Sequence, residues 1–224
     1  MGGPDVLELV LADARTPSGG HAHSGGLEAA IDAGRTSGET LGSDQVPRFI
    51  RARLRTVGRC EAALASRAAA AETLAELLAL DLEATARTPP APLRRASRQL
   101  GRGLLRTAAG WWPEDELLGA YRAASEATPR PVALGAIARA GGLSSRAAAR
   151  LSLYDDAATV AAAAVKLLPL DAAVASGWLV ALSGEIEELA GGAESAVELP
   201  SAATPLLDRR ALVHAGSERR LFAS

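Results

Sequence analysis

Apolar positions along the chain recur at three- and four-residue intervals far more often than they alternate, and that period gathers them on one face of a helix. The clearest run is Leu64, Ala68, Ala71, Ala75, Leu78 and Leu82, inside a helical pattern over residues 44–86 that tolerates Pro47 in its opening turn. After the breaker Thr88-Pro-Pro-Ala-Pro, the spacing resumes at Leu93, Ala96, Leu100, Leu104 and Ala108. It returns at Ala147, Leu151, Tyr154, Ala158, Ala161 and Val165, within a helix predicted over 144–168, and Pro169 divides this from another predicted over 171–189. Shorter helices are predicted over 6–12, 25–33, 114–127 and 132–140. Ser24 is the expected cap of the second, with Glu28 where the helix dipole favours a carboxylate. Residues 15–24 and 34–43 read as turns and loop. No fixed-period repeat appears, which disfavours a solenoid. The expected fold is all-α: a single compact multi-helix domain over residues 1–190, then a linker and a C-terminal interaction tail over 191–224.

Composition sharpens this picture. The 224 residues include 51 alanines but only seven aromatics, so an all-β fold is excluded and the helices must pack with small side chains. Ala161 to Ala164 offer small side chains on every face of one turn, and such a helix is expected to be enclosed on all sides. The net charge of −2 leaves no field for a polyanion, so nucleic acid is not an expected partner. Cys60 is the only cysteine, which forbids an intrachain disulfide or a multi-thiolate zinc site and suits a reducing compartment. No secretory n-region opens the chain, and the longest strongly apolar stretch, 157–165, is well short of the roughly 20 residues a membrane span needs. A soluble, cytoplasmic protein without a membrane partner is expected.

Candidate chemistry is sparse. Lys166 is the only lysine and stands outside any Gly-Lys-Ser/Thr phosphate loop, and neither a His-Glu-x-x-His helix nor a Gly-x-Ser-x-Gly elbow occurs. His21-Ala-His23 has ligand spacing and would need Asp13 or Glu28 to complete a metal shell; a small helical metal-dependent enzyme using His21 and His23 is the alternative reading. The same turn can instead set these rings against neighbouring helices, or turn free N–H groups toward an anion. Lys166, close to a helix C-terminus, either complements the dipole or anchors a partner protein. Arg209, Arg210, Arg219 and Arg220 alternate with leucines and Phe222, as in an adhesive arm that pairs with carboxylates. Deleting everything after Thr204 is expected to leave the body folded.

The segment Leu11-Ala-Asp-Ala-Arg-Thr-Pro-Ser-Gly-Gly-His-Ala-His-Ser-Gly-Gly-Leu-Glu resembles the N-terminal signature of the UreF family of urease accessory proteins. Asp81, Leu93-Arg-Arg-Ala-Ser-Arg-Gln-Leu-Gly, Ala164-Val-Lys-Leu-Leu-Pro-Leu and the final Arg220-Leu-Phe-Ala-Ser follow in the order that family shows. His21 departs from the pattern, where an aromatic residue is commoner, and Asp171 replaces the usual Gly-Gln. The resemblance implies an all-helical cytoplasmic protein, commonly a homodimer and not an enzyme. It implies a chaperone that binds the scaffold UreD (also called UreH), the GTPase UreG and apo-urease during nickel insertion, with regulation of GTP hydrolysis. It implies no tightly bound cofactor, with Ni²⁺ as a transient passenger. By position, Gly20, His23, Ser24 and Glu28 of the signature, Lys166, and Arg219, Arg220 and Phe222 of the tail are the expected partner-binding residues.

Overall fold

The computed structural model describes residues 4–13, 16, 22–38, 41–216 and 221–222. Among these residues there are eleven α-helices and no strand. In chain order they are α1 (Pro4–Ala12), α2 (Leu27–Ser37), α3 (Val46–Arg53), α4 (Arg59–Ala69), α5 (Leu74–Ala86), α6 (Ala91–Ala108), α7 (Glu116–Ala124), α8 (Arg130–Ala140), α9 (Ser145–Leu167), α10 (Ala172–Ser195) and α11 (Pro205–Ala215). The all-α expectation is met.

Helix α9 is the axis of the fold. Ser144 caps it by accepting the Ala147 N–H at 3.1 Å, and from Ala147 to Ala164 it buries residues on nearly every side. Its alanines let α4, α8 and α10 lie close, the arrangement that the four-alanine turn predicts, although Ala162 itself is exposed. One core cluster joins α4 to α8, with Tyr121, Val132 and Ile137 at its centre. A second joins α2, α3, α9 and α10, with Leu27, Ile31, Leu153 and Val160, and it includes Phe222.

The helix pattern over 44–86 is broken twice. A π-helical turn, Leu54–Gly58, separates α3 from α4, and α5 restarts at Leu74 behind a capping box. There Thr73 Oγ1 accepts the Glu76 N–H at 3.3 Å while the Thr73 N–H donates to Glu76 Oε2 at 2.9 Å. The restart resets the helical register: Leu77, Leu80 and Ala84 face the core, whereas Ala75 is exposed and Leu82 is 74% exposed. Helix α2 begins after two left-handed glycines, Gly25 (φ 60°) and Gly26 (φ 84°), later than expected, and runs into the predicted loop. Ser24 still serves it, accepting the Glu28 N–H at 3.4 Å. Helix α7 is shorter than expected because Asp115 caps it and Ser125 is extended, and α10 continues past Leu189 to Ser195.

Helices α4 and α8 touch backbone to backbone at Gly135, where a Cβ would lie 2.3 Å from the Ala65 carbonyl oxygen and 2.6 Å from Ala68 Cβ. Gly177, in the second turn of α10, has open space around that position. Gly135→Ala is therefore expected to lower the urea-unfolding free energy by about 2–3 kcal/mol. Gly177→Ala should raise it by about 0.5–1 kcal/mol, since it removes only backbone freedom.

Candidate functional site

Two polar clusters flank α9, and both begin in the loop that leads into α2. The first is a clasp on the end of the chain. Glu28, in the first turn of α2, accepts the Leu221 N–H on Oε1 at 2.6 Å and the Phe222 N–H on Oε2 at 2.9 Å. His214 Nε2 lies 3.3 Å from Glu28 Oε2 and 3.4 Å from the Phe222 carbonyl oxygen. Glu28, His214 and Phe222 are all buried. Lys166, exposed at the end of α9, holds its ammonium 5.4 Å from the centre of the Phe222 ring. A carboxylate at a helix N-terminus is favoured by the dipole and here also gathers two backbone donors, which offsets its burial.

The second cluster is an ionic chamber. Arg130, at the start of α8, pairs Nη1 with Glu61 at 2.9 Å and Nη2 with Asp155. Arg53 pairs with Asp156 at 2.8 Å and donates to the Gly25 carbonyl oxygen at 3.0 Å, tying the glycine turn to α9. The π turn follows directly on Arg53; Arg51 and Arg55 meet Glu185 of α10 at 2.8 and 2.5 Å while Arg53 goes inward. Burial disfavours charge on Arg53 and Arg130, but Asp156 beside the first and Asp155 and Glu61 beside the second hold both above the ordinary arginine value. Burial pushes Glu61 up, against the pull of Arg130. His23 is held below its usual value by burial and by Arg130, which favours a neutral ring. Asp156 Oδ2 is buried with no hydrogen-bond partner among the described residues. A cavity of about 150 Å³ borders this cluster, with His23, Arg53, Cys60, Glu61, Arg130 and Asp156 in its lining together with Leu207, Asp208 and Ala211 of α11.

A third buried carboxylate, Asp81, accepts hydrogen bonds from Tyr121 Oη at 2.7 Å and from Ser125 Oγ. Burial raises both Asp81 and Tyr121. The cluster joins α5 to α7 and to the turn at Thr128, whose φ of 43° is left-handed.

Of the residues that the sequence singles out, Glu28, Lys166 and Phe222 meet in the clasp, Ser24 supports it through the Glu28 N–H, and His23 faces the chamber instead. Gly20, His21, Arg219 and Arg220 lie outside the described residues. Among the described residues no three His, Cys, Asp or Glu side chains gather as a metal site. Sequence reasoning missed His214, Arg53, Glu61, Arg130 and Asp155. The one signal available was Asp155-Asp156 in the middle of an alanine-rich helix, where two carboxylates have no reason to stand unless a buried cation meets them.

The fold and these clusters define an all-helical protein whose signature loop, central helix and chain end converge on one clasp. The family model for UreF matches residues 42–183. The urease accessory protein UreF of Mycolicibacterium vanbaalenii is 41% identical over 224 residues, covering 96% of this chain and 97% of that protein. That of Mycobacterium sp. (strain JLS) is 38% identical over 216 residues, covering 96% and 97%. That of Mycobacterium tuberculosis (strain H37Rv) is 36% identical over 221 residues, again covering 96% and 97%. The chain belongs to the UreF family.

Removing the buried Arg130 leaves the partly exposed Glu61 and Asp155 without their cation, so Arg130→Met should cost about 1–3 kcal/mol in urea unfolding. Because the Glu61 pKa is raised on folding, its contribution to stability is full below the ordinary value of 4.5 and is lost as pH rises through the folded-state value. Unfolding free energies of wild type and Glu61→Gln, compared from pH 5 to 8, should show wild type losing ground as pH rises.

Proposed function

We propose that the chain acts as a urease accessory protein, a non-enzymatic adaptor in maturation of the urease active site. The observation that carries this reading is likeness over nearly the whole chain to proteins named urease accessory protein UreF, at 35–41% identity. On this reading the chain assembles with the scaffold UreD/UreH, the GTPase UreG and apo-urease, works as a cytoplasmic homodimer, and attends the passage of Ni²⁺ as cargo without keeping it. Among the described residues no helix is long and apolar enough to cross a membrane, and that fits such a setting.

The clasp gives the partner-binding reading a physical basis. Docking of Phe222 places its ring under the exposed Lys166 and leaves the neighbouring Leu221 exposed, while Leu206, Leu212 and Val213 of α11 also face solvent. Exposed apolar side chains on α11 and at Leu221, together with the exposed cations Lys166 and Arg209, offer a surface that another protein can cover. On this reading Ser24 and Glu28 anchor the chain end through Phe222, and Gly20, His23, Lys166, Arg219 and Arg220 complete the set of partner-binding residues. Residues 191–224 serve as the partner-binding arm.

Mixing the full-length chain with UreD/UreH and UreG and measuring the mass of the complex tests the proposal; capture of neither partner refutes it. Lys166→Ala is expected to weaken capture several-fold with helical circular dichroism unchanged, since an exposed cation contributes on the order of 1 kcal/mol to a contact.

A further inference from the structure

Helix α6 carries five arginines, Arg94, Arg95, Arg98, Arg102 and Arg106, and no acidic residue. Its rotation about its own axis is fixed from the buried side. Gly101 lies against the Thr128 carbonyl, where a Cβ would overlap the oxygen, and Ser97 Oγ accepts the Arg130 N–H at 3.0 Å. Ala96, Leu104, Leu105 and Ala108 are buried on that side, which leaves Arg95, Gln99, Arg102 and Arg106 exposed in a row along the other. At the helical rise the row is about 16 Å long. Exposed arginines elsewhere are matched by acids: Arg51 and Arg55 share Glu185, and Arg146 meets Glu187. In the row, Arg102 donates to the Glu126 carbonyl oxygen at 3.2 Å, and neither Arg95 nor Arg106 meets a carboxylate among the described residues.

The row does nothing for its own helix. Like charges three or four residues apart, as in Arg95–Arg98, Arg98–Arg102 and Arg102–Arg106, repel one another. Arg94 and Arg95 also stand near the positive end of the helix dipole, and no acid in the first turn offsets them. Such a pattern is unfavourable within the chain and favourable only beside an external acid. We propose that the exposed face of α6 is a docking surface for an acidic segment of a partner protein, with Arg95, Arg102 and Arg106 pairing to carboxylates that recur at three- and four-residue intervals along a helix. Guanidinium groups take carboxylates bidentately, and Gln99 adds a hydrogen-bonding group between them. The apolar side of α6 is buried in the core, so this face lacks the exposed apolar band that seats a helix in a membrane surface. The net charge of −2 opposes the long-range field of a nucleic acid. The inference goes beyond the adaptor reading and does not depend on which proteins the chain assembles with.

The probe is a fluorescein-labelled, alanine-rich helical peptide of about 20 residues with glutamates at the stated intervals, titrated with the full-length chain and read by fluorescence anisotropy. Wild type is expected to bind it at low ionic strength and more weakly at about 0.15 M salt. Each exposed arginine–carboxylate pair contributes a factor of about two to five, so the triple variant Arg95→Gln/Arg102→Gln/Arg106→Gln should bind about tenfold or more weakly, at unchanged helical circular dichroism. A second triple variant, Arg35→Gln/Arg48→Gln/Arg59→Gln, alters the net charge equally at exposed sites on α2, α3 and α4 and should change binding by less than about twofold. Three outcomes overturn the proposal: wild type that does not bind the peptide at low ionic strength, equal weakening in both triple variants, or tighter binding through the α6 row to a thymidine oligonucleotide or to phosphatidylserine vesicles than to the peptide. Should the α6 triple variant fail to fold, the single variants Arg95→Gln and Arg106→Gln decide instead, each expected to weaken binding about twofold or more and each refuting the proposal if both leave it unchanged.

Discussion

One carboxylate joins the start of α2 to Leu221 and Phe222. Glu28 is placed by the left-handed glycine turn that begins α2, and its oxygens collect the backbone N–H groups of Leu221 and Phe222 beside His214. A buried carboxylate without donors would be destabilising by several kcal/mol, so the end of the chain and the start of α2 each depend on the other being in place. Arg53 extends the dependence inward: it ties the Gly25 carbonyl to Asp156, and Asp156 stands on the same helix as Asp155, the partner of Arg130. The clasp and the ionic chamber are thus two sides of one loop held against α9.

Small side chains make that arrangement possible. Alanines along α9 bring α4, α8 and α10 close enough that charged groups from separate helices reach one another directly, with Arg53, Glu61, Arg130, Asp155 and Asp156 drawn from four helices, α3, α4, α8 and α9. The same economy of volume leaves little apolar area per residue to bury. Specific polar contacts consequently fasten the elements that pack least, of which α11 is the clearest case.

Much of this was legible in the sequence. The alanine-rich period of α9, the proline breaker before α6 and the glycine stop after α8 all read correctly, because each depends on local chemistry. The uninterrupted stripe from Leu64 to Leu82 read incorrectly, although Thr73-Leu-Ala-Glu76 carries a capping-box signal; following the apolar spacing alone masked a restart that turns Leu82 outward. The π turn at Leu54–Gly58 had no such signal. Resemblance picked out Glu28, Lys166 and Phe222 separately, but only the fold shows that they touch. The tail, read from its composition as an adhesive arm beyond the body, seats Phe222 in the second core cluster, so removing everything after Thr204 takes a core residue with it. His214 and Arg130 were not legible, since long-range pairing leaves no periodic trace.

The Glu28 clasp requires that the isolated chain hold its own end. Amide hydrogen exchange at Leu221 and Phe222, measured on the full-length protein without partners, reads this directly. Protection of both amides by about a hundredfold or more over unstructured peptide, lost in Glu28→Gln, is the predicted result. Exchange at unstructured-peptide rates in wild type, with the remainder of the helices protected, would contradict it.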